Sequence, residues 1–229
     1  MNYLFVVAHP DDEVLGAGAL ISKLKREGHS KTVSLVLNSF DATRYVDGSN
    51  ELVNDLETSS RIIGIDKHIV SIYADSNFIN ADHRKMVCCI ERAIRDNDID
   101  YVFMHSFADN NLDHAVAAQA TVEAVRYGQR GRYDAKPVSG VYAMEILSST
   151  NWCINESVGQ FRANTFAAVE NEDLERKIAA LQCYENVLRP HPFPRSREDI
   201  YAQALLRGSQ SGYEYAEAFQ CVFKREAFT

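Results

Sequence analysis

His9, Asp11, Asp12 and Glu13 stand in one short run, His-Pro-Asp-Asp-Glu. An imidazole nitrogen and carboxylate oxygens so close together suit a divalent metal, zinc foremost, in a site that leaves a position for water; iron(II) or cobalt(II) accepts the same donors. A plainer reading also stands. Asp-Asp-Glu at the start of a helix caps free N–H groups and complements the helix dipole, with Pro10 as a turn residue. His9 adds nothing to capping, and it precedes Asp12 across a turn that can bring both onto one ion.

The elements that must hold these groups are legible from apolar spacing. Tyr3 to Val7 has the length and the β-branched, aromatic character of a buried strand, and Val14, Leu15, Ala19, Leu20 and Leu24 lie on one helix face. Strand, turn and helix therefore place the acidic run at a strand's carboxyl end, where open α/β sheets bind ligands. Beyond a helix end at Gly28, the pattern predicts strands over Thr32–Leu37, His68–Tyr73, Asp100–Met104 and Pro137–Met144. Helices are predicted over Leu52–Ile63, His83–Ile94, Ala115–Arg126 and Glu170–Leu188, with a turn at Gly208 and Gly212. This alternation implies βαβ units and a mostly parallel sheet in one domain spanning residues 1–229.

AHPDDEVLGAGALI resembles the signature of the LmbE-like or PIG-L family of zinc-dependent N-deacetylases. Members remove acetyl groups from N-acetylglucosamine units in thiol and glycolipid-anchor precursors, polysaccharides and antibiotics. The segment His105 to His114 is similar to the family element in which a strand-end His is followed by Asp-x-His/Asn-x-Asp-His. The resemblance implies a Rossmann-like, LmbE-like fold, one zinc ion on His9, Asp12 and His114, and Asp11 as general base toward a metal-activated water. Glu13 then becomes a helix-cap or supporting group. Asn111 stands where well-described members carry a catalytic His, oriented by the residue matching Asp113; Asn donates a hydrogen bond to an oxyanion but relays no proton. Arg44 and Asp75, in the loops after the second and third strands, are candidate substrate contacts. The proline-dense Arg189–Ser196 segment either walls the substrate entrance or merely connects, and Trp152 is either core or lid. The implied substrate is a small N-acetyl amino sugar; an amidase for larger acyl groups and a catalytically silent sugar-binding relative are the alternatives.

Composition narrows the partners. A formal net charge of −8 with 24% charged residues argues against general binding to nucleic acid or anionic membrane. The five cysteines form neither a disulfide framework nor a CxxC zinc site, which favours the cytoplasm. No leader or membrane-spanning run is read, and a homo-oligomer stays open. Gly16-Ala17-Gly18 invites a dinucleotide-binding reading, but the third glycine is missing and these glycines fall inside the helix pattern.

Overall fold

The computed structural model of the chain describes residues 1–28, 30–38, 49–71, 81–131, 136–152 and 159–226. Strand β1 (Asn2–Val7) buries Leu4, Phe5, Val6 and Val7 completely, as a central strand covered on both faces must. The chain continues through α1 (Asp12–Glu27), β2 (Lys31–Val36), α2 (Ser49–Ile63), β3 (Lys67–Val70), α3 (His83–Asp96), β4 (Tyr101–Met104), α4 (Leu112–Gln129) and β5 (Gly140–Met144). It closes with β6 (Thr165–Val169), α5 (Asn171–Leu181), α6 (Arg197–Ser211) and β7 (Tyr215–Lys224).

These strands form one seven-stranded sheet in the order β3-β2-β1-β4-β5-β7-β6. Strands β1 to β5 run parallel, and β7 runs antiparallel to both β5 and β6. Phe5, Val7, Phe103 and Phe219 pack with residues of α1, α2, α5 and α6 on one face. Leu4, Val6, Leu35 and Val102 pack under α3 and α4 on the other. The direction of winding reverses between β1 and β4, so a crevice opens beyond their carboxyl ends. The predicted α/β architecture is therefore present, with an antiparallel β7 added.

Helix α1 is kinked at Ala17 (φ −150°). In a regular helix the Ala19 N–H donates to the Leu15 carbonyl. Here Lys177 Nζ donates to the Leu15 carbonyl at 2.8 Å, and Glu217 accepts the Ala19 and Leu20 N–H groups at 3.1 and 2.7 Å. Lys177 and Glu217 are themselves paired at 2.7 Å and buried. An ion pair is thus wedged into the helix ladder, which is an identifiable cause of a kink. Gly18 admits the lysine, because a Cβ there would sit 3.0 Å from Lys177 Cγ.

Three expectations are corrected. The helix predicted over Glu170–Leu188 ends at Leu181; Cys183 and Tyr184 then bond three residues back, and Asn186 takes φ 57°. Tyr184 and Val187 still reach the core, which is why the apolar pattern outran the helix. The predicted strand from Pro137 begins only at Gly140. Gly208 is no turn residue but lies inside α6, where a Cβ would meet the Glu214 carbonyl at 2.5 Å; Gly212 alone caps the helix at φ 78°.

Replacing one member of the buried pair strands the other's charge. Lys177→Met is expected to lower the unfolding free energy by about 3–5 kcal/mol, measured by urea denaturation; an unchanged midpoint would contradict the wedge.

Candidate metal centre

Two strand ends meet at the winding reversal. Val7 of β1 is followed by Ala8 and His9, and Met104 of β4 directly by His105. The Ala8 N–H donates to His105 Nε2 at 2.8 Å and ties the two ends together. Asp11 then turns the chain into α1 with φ 100°, a left-handed conformation, and its side chain makes no cap hydrogen bond. Its carboxylate is 1% exposed. The capping role read for this run therefore does not describe Asp11.

Asp12 occupies the centre. Its Oδ2 accepts the His9 N–H at 2.9 Å and lies 3.4 Å from His9 Nδ1 and 3.3 Å from His114 Nε2. Each of these rings presents its other nitrogen to a second carboxylate: His9 Nε2 lies 3.0 Å from Asp113 Oδ2, and His114 Nδ1 lies 2.8 Å from Asp109 Oδ2. Metal-binding histidines are oriented in this way, by a carboxylate behind the ring. One possible ligand atom from each of His9, Asp12 and His114 lies within 4.8 Å of the others. One nitrogen, one oxygen and one nitrogen fit zinc with positions left open. A second grouping, His105, Asp109 and His114, also falls within that distance. It fits less well, since His105 Nε2 already accepts the Ala8 N–H and Asp109 already binds His114 Nδ1.

With that geometry in hand, comparison with protein families gives one match, over residues 4–125, to the PIG-L family, described as GlcNAc-PI de-N-acetylase. The chain belongs to the PIG-L family. Three solved structures are similar in fold. The conserved protein TT1542 from Thermus thermophilus is 24% identical with a TM-score of 0.77, over 98% of this chain and 96% of that one. GalB, the 4-carboxy-2-hydroxymuconate hydratase of Pseudomonas putida, is 24% identical with a TM-score of 0.78, over 100% and 98%. The N,N'-diacetylchitobiose deacetylase of Pyrococcus horikoshii is 17% identical with a TM-score of 0.70, over 96% and 83%. No curated protein sequence gives a significant match.

Within this PIG-L fold, the structure brings His9, Asp11, Asp12, Asp113 and His114 together as read from sequence. Arg44 and Asp75 lie outside the described residues. Asn111 is the N-cap of α4, its Oδ1 accepting the Asp113 N–H at 2.9 Å. Asp113 orients His9 rather than residue 111. Glu13 is neither cap nor partner to the donors: it is fully buried and neither oxygen makes a hydrogen bond among the described residues. Burial, reinforced by the Asp11 and Asp12 charges, pushes its pKa up to about 8. Trp152 is 44% exposed and so is not core. His191 and Phe193, on the proline-dense segment, are exposed.

Sequence reasoning placed His105 and Asp109 in the second family element but gave neither a role, and it gave none to Ser149 or Arg195. Asp109 accepts from Ser149 Oγ and from the Asn111 N–H at 2.8 Å besides His114, so it joins the loop after β5 to the start of α4. For His105 a positional signal stood beside the motif, since it follows β4 much as His9 follows β1.

The electrostatics match the geometry. Burial disfavours the His9 imidazolium, but Asp113 and Asp12 outweigh it and hold the pKa at about 10. Burial is likewise outweighed at His114, where Asp12 and Asp109 hold the pKa at about 9. Asp12, for all its burial, is held well below the usual carboxylate range, chiefly by the charge on His114. Burial and the His114 charge lower the pKa of His105 and keep it neutral, as its acceptor role toward Ala8 requires.

Metal ligands must be unprotonated. At pH 7 both His9 and His114 carry protons in the metal-free chain, so zinc uptake is expected to release about two protons. Affinity then falls about 100-fold for each pH unit lowered below 8. Calorimetric zinc titration in buffers of different ionisation enthalpy measures the release; a value below one would contradict this arrangement.

Proposed function

We propose that this PIG-L family protein is a zinc-dependent hydrolase that removes the N-acetyl group from a GlcNAc-type amino sugar. The acceptor is a small glycoside, nucleotide sugar, glycolipid or antibiotic precursor. One observation carries the reading: His9, Asp12 and His114 converge with their donor atoms within 4.8 Å, and both rings are backed by carboxylates. Family membership supports the same chemistry.

Zinc held by His9, Asp12 and His114 would lower the pKa of a water toward about 7 and polarise an amide carbonyl. His9 and His114, fixed by Asp113 and Asp109, hold the donor geometry. Asp11 is adjacent to Asp12, buried and free of capping duty. It takes the proton of the attacking water as the water oxygen bonds to the amide carbon. It returns that proton to nitrogen as the C–N bond breaks, giving acetate and the free amine. Asn111 spends only its Oδ1 on the helix start and keeps Nδ2 to donate to the carbonyl oxygen.

A second reading is hydration of an unsaturated carboxylic acid, favoured by the fold similarity to a hydratase at a TM-score of 0.78. Acetate release from N-acetyl amino sugars separates it from loss of the ultraviolet absorbance of a conjugated acid.

His114→Ala is expected to lose both zinc and turnover. Asp11→Asn is expected to keep zinc and lose about 10²–10⁴-fold in kcat. Elemental analysis on protein prepared without a metal-affinity tag, paired with acetate release, checks both; near-normal turnover in Asp11→Asn would remove the base assignment.

A further inference from the structure

Five non-glycine residues adopt positive φ among those described: Asp11, Asp98, Ser148, Asn186 and Arg195. Asp and Asn tolerate this conformation, whereas Ser and Arg do so at a cost. Asp11, Ser148 and Arg195 come from three distant parts of the chain and gather around one guanidinium. Arg195 Nε donates to Ser148 Oγ at 2.8 Å and lies 3.4 Å from the Leu147 carbonyl. Arg195 Nη1 lies 3.9 Å from Asp11 Oδ2. Backbone strain persists only where surrounding contacts impose it, and it gathers at functional sites.

The guanidinium is aimed but not spent. Nε anchors it, and the Arg189 N–H bonds the Arg195 carbonyl at 3.3 Å, closing the proline-dense segment behind it. At 3.9 Å the Asp11 contact is too long for a hydrogen bond. Neither terminal nitrogen has a hydrogen-bond partner among the described residues. The side chain is 23% exposed, so one edge still faces solvent. Two parallel donors on a fixed plane match the paired oxygens of a carboxylate or phosphate.

We propose that Arg195 is a specificity residue that selects an anionic substrate, its terminal nitrogens gripping a carboxylate or phosphate group close to the bond being cleaved. The inference rests on the deacetylase reading for the location of that bond. Net charge favours neutral or cationic ligands for the chain as a whole; Arg195 reverses that preference locally. Lining the crevice with Asp11, Asp12 and Asp113 alone would repel an anion.

The test uses zinc-supplied full-length protein and three probes: N-acetylglucosamine, N-acetylmuramic acid for a carboxylate, and N-acetylglucosamine 6-phosphate for a phosphate. Calorimetric binding and acetate release are measured for the native chain, Arg195→Gln, Arg195→Lys and Ser148→Ala. At least one anionic probe is expected to bind the native chain roughly 10–100-fold more tightly than the neutral one. That ratio is expected to collapse in Arg195→Gln, to survive in part in Arg195→Lys, and to shrink in Ser148→Ala as the anchor loosens. Whichever anionic probe gains identifies the anion. Equal or undetectable binding of all three probes, or a preference that persists in Arg195→Gln, overturns the proposal. A preference that depends on Arg195 without any acetate release leaves it standing and removes the deacetylase reading instead.

Discussion

The Asp12 carboxylate is the point on which this site turns. A carboxylate buried to 2% exposure is costly unless its charge is met. Here the His9, His105 and His114 rings and the His9 N–H surround one oxygen. The three rings come from the ends of two strands and the first turn of a helix, so satisfying one carboxylate fixes the relative placement of all three elements. Asp109 and Asp113 then hold the far nitrogens of two rings. Protons on His9 and His114 offset much of this negative charge in the metal-free chain, and a bound divalent cation would take their place.

Three adjacent carboxyl groups end in three different states. Asp11 is bent into a left-handed turn with its side chain free of capping, Asp12 is anionic among imidazoles, and Glu13 is buried without a hydrogen bond and retains its proton near neutral pH. Residue type alone does not separate them; burial and neighbours do.

What was legible in the sequence follows from what is local. The apolar run before His9 and the spacing after it locate β1 and α1, and the donor run sits between them. Family resemblance brought in His114 and Asp113, although the ring that Asp113 serves proved to be His9. Asp109 stood in the motif without a role, whereas Ser149 and Arg195 left no local trace of theirs, because those roles exist only as contacts between distant segments. The end of α5 at Leu181 was hidden for the opposite reason: Tyr184 and Val187 keep a helical apolar rhythm while the backbone leaves the helix. Arg44 and Asp75 fall outside the described residues.

The kink in α1 divides labour between the two ends of the chain. Every donor proposed for the metal lies within residues 4–125, the stretch matched to the family. The ion pair that bends α1 away from a regular path comes from Lys177 and Glu217. A chain emerging from the ribosome therefore displays all its metal donors before the wedge that bends α1, the helix Asp12 opens, exists. The donors are encoded early and the path of α1 behind Asp12 is fixed late, by residues of the second half of the sequence.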